Sequence, residues 1–560
     1  MKKQLLSLAL AVSFALAFVP VIPVAVAADY GSPGRFLLHI APPAEGSIPI
    51  SNREELAAIA NNLSGKYHLT ADIDLSDGAW TPIGSVYGEF TGVFDGQGFV
   101  IRNLTITSAR ASAINYLGLF GTAGGNAHVP IYPPKLSGVI KNVGLEQTNI
   151  QIGDISAAIF AGGISGYGGI ISNCYNTGTI TVSNRTEAYA VSAGGISGAN
   201  SSIDSSYNMA SVSASSTCNP SWNKNDSANA GGICGFNGNV KNCYNTGLIT
   251  AIDARDSIIT LSYRPARAGG IVGSNSSGFS IENCCNTGDI VSYAQRAGIT
   301  TYSGTIVGYS ADGSTVRNSY WNIDSKQSVD GNELSTDDKQ GLGYGMGQAT
   351  GLTAEQMQTQ ASFPGWDFTS VWAFKPGVNS RYPVLRAFHE FPSSWAEYSV
   401  NRAITAGIVP QSLQTKYTAD ITRAEFCALA VAVYERHTGQ TITARAAFSD
   451  TTDVNVEKAA GAGIVGGGGD GKFNPGGTFN RERAAVLLVN LLKAMNIELG
   501  NNNADFTDKG DISGWALEQV GQAQAAGLVS GSGGKYDPKG KFTREAGILL
   551  MLNLWDYLNS

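Results

Sequence analysis

Three arginines stand where helices are predicted to begin in the last third of this 560-residue chain. Arg423 lies in Thr422-Arg423-Ala424-Glu425, Arg481 in Asn480-Arg481-Glu482-Arg483, and Arg544 in Thr543-Arg544-Glu545-Ala546. Thr422 with Glu425, followed by Phe426, Leu429 and Val433, reads as a capping box opening an amphipathic helix. A cation in the first turn opposes the helix dipole, so helix stability gives no reason to place one there. Beside the free N–H groups of a helix start, a guanidinium makes a place for an anion it can grip bidentately, a carboxylate or a phosphate. The plainer alternative is a set of surface salt bridges to nearby Glu or Asp. Recurrence of the feature in three places favours the anion site.

Other chemistry has thinner support. The chain has only five His and no His-Glu-x-x-His, and its Gly-Ile-Ser-Gly copies lack the spacing of a nucleophile elbow. Gly466-Gly467-Gly468-Gly469-Asp470-Gly471 fits Gly-x-Gly-x-x-Gly in letters only, because it follows a predicted helix and not a strand. Asp72, Asp74, Asp77 and Gly78 resemble a calcium loop with one acid a place late. No metal, cofactor or catalytic set is expected. Seven cysteines are present, at 174, 218, 234, 243, 284, 285 and 427. Three of them share a repeat position where Ser206 and Ser319 also occur, which suits a small packed residue better than an obligatory bridge. Cys243 and Cys284 are near enough in the repeat to bond, and an odd total leaves at least one thiol unpaired within the chain.

Composition bounds the class. Charged residues make up 14% and Gly 69 of the 560 positions, against averages of about 25% and about 7%. Low charge with abundant Gly suggests a turn-rich β architecture, and 43% apolar residues can build a core. A net charge of −7 argues against nucleic acid as a partner. Lys2 and Lys3, an apolar run to Val19, and Ala25-Val26-Ala27 read as a secretory signal peptide over residues 1–27. An uncleaved anchor is the alternative, and no transmembrane segment is expected after cleavage. Residues 28–50 read as a linker or first strand. Ser51-Asn52-Arg53-Glu54 reads as a capping box opening a cap helix, with Leu56, Ile59, Ala60 and Leu63 on one face.

From Tyr67 the pattern is one of short strands bounded by Gly, Asn or Asp. Ala161-Gly162-Gly163-Ile164-Ser165-Gly166 then recurs at 193, 230 and 268, with a weaker copy at 303. Each copy is followed by a partner: Asn173-Cys174-Tyr175-Asn176-Thr177-Gly178 returns at 242 and 283, with degenerate copies at Ser205 and Asn318. A repeat of roughly 35 residues with strands and turns but no helix predicts stacked coils that bury their inward residues against neighbours. The expected fold class over residues 51–386 is an all-β solenoid, a right-handed parallel β-helix, with a propeller as the alternative. These units resemble GLUG-motif repeats, a family of bacterial cell-surface and secreted proteins. The resemblance implies surface display and often adhesion, with no defined catalytic residue. Trp366, Phe368, Trp372, Phe374 and Tyr382 form an aromatic cluster expected to seal the far end of the stack, or to serve as a carbohydrate platform.

After Arg386 the pattern turns α-helical. Three similar segments, 390–440, 446–497 and 504–558, each run helix, Gly-ended turn, loop and Arg-bearing helix. The turns are Ala406-Gly407-Ile408-Val409, Ala462-Gly463-Ile464-Val465 and Ala526-Gly527-Leu528-Val529. The loops carry Lys472-Phe473-Asn474-Pro475 and Lys535-Tyr536-Asp537-Pro538. In this order the segments resemble three S-layer homology modules over 387–560. The resemblance implies noncovalent attachment to acidic, often pyruvylated, secondary cell-wall polysaccharide in grooves between modules. Arg423, Arg481 and Arg544 would face the acid group, and Trp395 and Trp515 would pack beside the sugar. The middle segment has no such tryptophan, has Asn480 for Thr and carries Arg483, so Arg423 and Arg544 are favoured over Arg481. The whole reads as a noncatalytic, exported protein of the cell wall and S-layer surface. Solenoid loops such as 215–229, with Trp222, and 251–267 would meet a host or neighbouring-cell glycan or protein. The alternative is a wall-anchored polysaccharide-degrading enzyme with a β-helix groove.

Overall fold

The computed structural model describes residues 40–109, 114–124, 136–184, 190–216, 228–254, 265–296 and 299–560. The signal-peptide segment 1–27, Cys218, Trp222 and most of the two candidate loops lie outside the described residues.

The repeated motifs stack on one another. Ile159–Gly162, Val191–Gly194, Ala228–Gly231, Arg267–Gly269 and Tyr302–Gly304 pair in parallel, each with the next. The register sets Ala161 against Ala193, then Ala230, Ala268 and Ser303. A second parallel ladder joins Ser165–Gly168, Ser197–Ala199, Cys234–Phe236, Val272–Asn275 and Val307–Ser310. In a third sheet, Tyr175, Tyr207, Tyr244, Cys285 and Tyr320 lie level with one another on successive strands.

The partner signature is explained residue by residue. Its first Asn turns the corner in the left-handed conformation, at φ 50 for Asn173, 51 for Asn242 and 52 for Asn283, which Asn tolerates better than most side chains. The Cys points into the core and the Tyr out to a flank. The second Asn is buried in a ladder: Asn208 donates to Asn245 and Asn245 to Asn286, each at 2.8 Å. That ladder fixes the middle glycine of the other signature. A Cβ on Gly163 would lie 2.6 Å from Asn176 Cγ, and one on Gly232 2.5 Å from Asn245 Cγ. The two signatures therefore recur together because each occupies the space the other leaves.

Pairing begins in the stretch read as a linker or first strand: Ile48–Ile50 is a strand parallel to Lys66–Leu69. The first helix, α1 (Arg53–Ala58), is capped one residue later than expected. Asn52 accepts from Glu55 N–H, and the Glu55 carboxylate accepts from Ser51 N–H at 2.7 Å. Leu56 and Ile59 are buried, whereas Ala60 is exposed.

The aromatic cluster after residue 352 does not close the end of the stack; it lies along the tyrosine flank. Phe363 and Trp366 meet Tyr320 at 5.0 and 5.6 Å, Trp372 meets Tyr244 at 6.3 Å, and Phe388 meets Tyr207 and Tyr175 at 4.7 and 5.8 Å. The chain thus runs back past five levels of strands. The physical reason is a long apolar stripe on the outside of the stack, which is stabilised by being covered. Arg386 then joins this strap to the helices through Glu397, at 2.8 and 3.1 Å.

Six further helices follow: α2 (Glu397–Thr405), α3 (Arg423–Thr438), α4 (Val454–Gly461), α5 (Arg481–Ala494), α6 (Leu517–Ala525) and α7 (Arg544–Leu558). Gly407, Gly463 and Gly527, at φ 75, 76 and 71, end α2, α4 and α6. The three pairs share one core that includes Phe426, Phe479 and Phe542. None of the described helices is long and apolar enough to cross a membrane.

Candidate functional site

Each Arg-bearing helix starts against a loop from another pair. Arg423 and Ala424 N–H donate to Gly477 and Pro475 carbonyls, Glu482 N–H to Pro538, and Arg544 and Glu545 N–H to Ala419 and Tyr417. The pairs thereby hand on in a circle, first to second, second to third, third to first. This corrects one premise of the sequence reading. These five first-turn N–H groups already have carbonyl partners, and those of Glu425, Arg483 and Ala546 are taken by the side chains of Thr422, Asn480 and Thr543, so an anion here would be held mainly by the guanidinium.

The three guanidinium groups are not equivalent. Arg481 donates from Nε to Tyr536 O at 2.7 Å and from Nη2 to Ser530 O at 2.8 Å. It lies over the Tyr536 ring with Cζ 5.0 Å from the centroid. Arg423 repeats the arrangement, with Nε to Phe473 O at 3.0 Å, Nη2 to Gly466 O at 2.9 Å, and Cζ 4.3 Å from the Phe473 centroid. Neither is in an ion pair with a carboxylate among the described residues. Burial, with a smaller part from the like charge of Arg483, holds the Arg423 pKa below its usual value. Arg544 differs. It grips Glu425 through Nη2 at 2.5 Å and Nε at 3.2 Å, while Nη1 donates to Thr415 O at 2.8 Å. Its charge is matched within the protein. Burial works against ionisation of Glu425, but the hydrogen bonds from Arg544 and Thr422 outweigh it and keep the carboxyl below its usual range.

The tryptophans stand just ahead of α2 and α6. Trp395 is 61% exposed and Trp515 54%, unusual for so large a side chain. Glu545, in the first turn of α7, accepts from Ser393 N–H and Oγ–H, and so fixes the turn that carries Trp395. Glu482, in the first turn of α5, does the same for Ser513 and hence Trp515. Trp395, Arg481, Ser530, Tyr536 and Asn553 line one cavity of about 200 Å³. An aromatic face, a guanidinium and hydrogen-bonding groups around one small cavity can hold a sugar ring with an acid substituent. The sequence had ranked Arg481 lowest, because its own segment lacks a tryptophan; the structure supplies Trp395 from another segment. Tyr536 and Phe473, the shelves beneath the two arginines, were visible only as loop letters, and the Glu425 lock was not identified. Asp72, Asp74 and Asp77, the calcium-loop candidates, contact Arg102, Asn103 and Arg53 respectively.

Comparison with known proteins bears on this segment. The family model of the S-layer homology domain matches residues 454–485 and 505–546. Halomucin of Haloquadratum walsbyi is 30% identical in an alignment of 156 residues that covers 25% of this chain and 2% of that protein. The chain thus spans a very small part of that relative. A solved structure from Bacteroides ovatus, described as a candidate immunoglobulin A1 protease, is similar at 20% identity and a TM-score of 0.41, over 62% of this chain and 94% of that one. The helical segment carries an S-layer homology domain, and with it an association with the cell surface.

Proposed function

We propose that this is an exported surface protein, tethered noncovalently to acidic secondary cell-wall polysaccharide, in which a pyruvyl group or similar carboxylate is bound by Arg481. The observation that carries the reading is the cavity of Trp395, Arg481 and Tyr536, with a guanidinium that no carboxylate among the described residues neutralises. Arg423 with Phe473 forms a second site of the same kind. Trp515 stands beside the start of α5 as Trp395 stands beside the start of α7, one step round the circle. The third seam is shut by Glu425 on Arg544, and the middle segment offers no tryptophan there.

Residues 51–386 in this reading form a right-handed β-solenoid of GLUG-type units, displayed for adhesion or as a structural element. Support comes from the parallel, in-register ladders and from the coupled Gly and Asn signatures. We read the chain as noncatalytic. Asp72, Asp77, Asp95, Glu146 and Glu282 are each held by a cation, a structural use of acids that a glycan-cleaving pair would need unengaged.

The test is sedimentation of the full chain with isolated wall sacculi. Arg481→Ala should weaken retention by about tenfold, the typical value of a charge-assisted bidentate contact. Retention unchanged in the Arg423→Ala, Arg481→Ala double variant would overturn the assignment.

A further inference from the structure

Where the strap meets α2 and α7, a second cleft of about 490 Å³ opens, lined by Phe374 and Arg381 from the strap, Tyr398 and Asn401 from α2, and Trp555 from α7. Its volume falls within the roughly 300–1,000 Å³ of small-ligand sites. Four features point to what it holds.

The first is backbone strain at the cation. Asn379, Ser380 and Arg381 are three consecutive non-glycine residues in the left-handed region, at φ 47, 51 and 66. Each is unfavourable for an L-residue, and such strain persists only where its surroundings enforce it. Here Asn379, itself buried, donates to Pro383 O at 3.0 Å, and Gln358 donates to Ser380 O at 3.2 Å. The second is the state of the polar tips. The Arg381 guanidinium is exposed and has no hydrogen bond or ion pair among the described residues, unlike Arg386, which holds Glu397 five residues on from the same strained turn. The Asn401 amide is likewise without a partner among the described residues. The third is Tyr398, whose ring is 76% exposed on the first turn of α2. The fourth is charge: Lys375, Arg381 and Arg402 line the cleft with one acid, Asp556, which Arg402 holds at 2.9 Å.

We infer that this cleft is a second carbohydrate site, for a short acidic saccharide. Arg381 receives the carboxylate, the Tyr398 ring packs on a sugar face, and Asn401 takes ring hydroxyls. The site shares α7 with the Arg481 cavity but none of its lining residues, so it stands or falls by itself.

The experiment is calorimetric titration of the full chain carrying Arg423→Ala and Arg481→Ala, which silences the tether sites. The probes are galacturonic acid trisaccharide and the neutral galactose trisaccharide. The acidic probe should bind at one site per chain, and the neutral one at least about tenfold more weakly. Adding Arg381→Ala should weaken the acidic probe by about tenfold, and adding Tyr398→Ala by about fivefold. Tyr398→Ala alters only an exposed ring, so its loss reports binding even if Arg381→Ala perturbs the turn. No binding of the acidic probe to the double variant, or equal binding after Arg381→Ala and Tyr398→Ala, overturns the inference. Wall sedimentation reads the tether separately: loss of retention with acidic-probe binding intact leaves both readings standing, and unchanged retention overturns only the tether.

Discussion

Cys174, Ser206, Cys243, Cys284 and Ser319 occupy one inward position of the stack, and each donates to the carbonyl two residues back. The distances are 3.2 Å to Ser172, 2.9 Å to Asp204, 3.0 Å to Lys241, 3.2 Å to Glu282 and 3.0 Å to Arg317. The interchange of Cys and Ser in the sequence was a legible sign of a small donor in a tight place, and the described cysteines are free thiols. Cys243→Ser should therefore cost no more than about 1 kcal/mol, whereas Cys243→Leu should cost about 1–3 kcal/mol by overpacking, both read from denaturant melts. The arginines teach the opposite lesson. In sequence Arg423, Arg481 and Arg544 look alike, but Glu425, 119 positions from Arg544, makes one of them structural. Glu425→Gln keeps the capping geometry and frees the Arg544 fork. It should lower stability by about 1 kcal/mol, a figure discounted because the pair is partly exposed, and leave wall retention no weaker. A large drop in retention would mean that Arg544 binds wall polymer only when paired.

At the scale of elements, the repeat spacing disclosed the stacking, since in-register ladders need motifs at near-constant intervals. It also held the Gly–Asn interlock, which predicts that Gly232→Ala destabilises by about 1–3 kcal/mol because its Cβ would enter the space of Asn245 and the Gly270 carbonyl. Unchanged thermal stability would show that the ladder yields. The strap was not legible as a flank cover, because an aromatic cluster fits an end or a side equally well until the tyrosines on its partner strands are seen in line. Its seam with the helices contains His389. Burial, then the charge of Lys375, pushes the His389 pKa down to about 3 from 6.5. A histidine neutral in the fold but protonatable when unfolded lets the unfolded chain bind the extra proton. Stability is thus full above about pH 6.5 and falls steadily as pH drops from there towards 3. His389→Phe should remove the part of this slope between pH 6 and 5, where carboxylates contribute little. Identical pH profiles for wild type and variant would place the titrating group elsewhere.

For the whole molecule, the order of segments was legible but their circular closure was not, because it depends on backbone N–H groups meeting carbonyls some 50 to 130 residues away in sequence. Closure bears on the tether proposed above. It brings Trp395, Arg481 and Tyr536 from three different segments to one cavity, so under that proposal no single segment would bind alone. It also fixes the two open seams relative to one another within a shared core. A polymer with many acid groups can then engage Arg481 and Arg423 together, and once one is bound the other meets its ligand at a high effective concentration. Single sites of modest affinity would give slow release. Arg423→Ala and Arg481→Ala should each shorten the residence time on sacculi about tenfold, while the double variant should lose more than the two effects multiplied, since avidity vanishes when one site goes and intrinsic affinity when both do. Dissociation followed after dilution, with and without excess soluble wall polymer, separates the cases. If the double variant leaves no faster than Arg481→Ala alone, the Arg423 seam takes no part and a single cavity bears the tether.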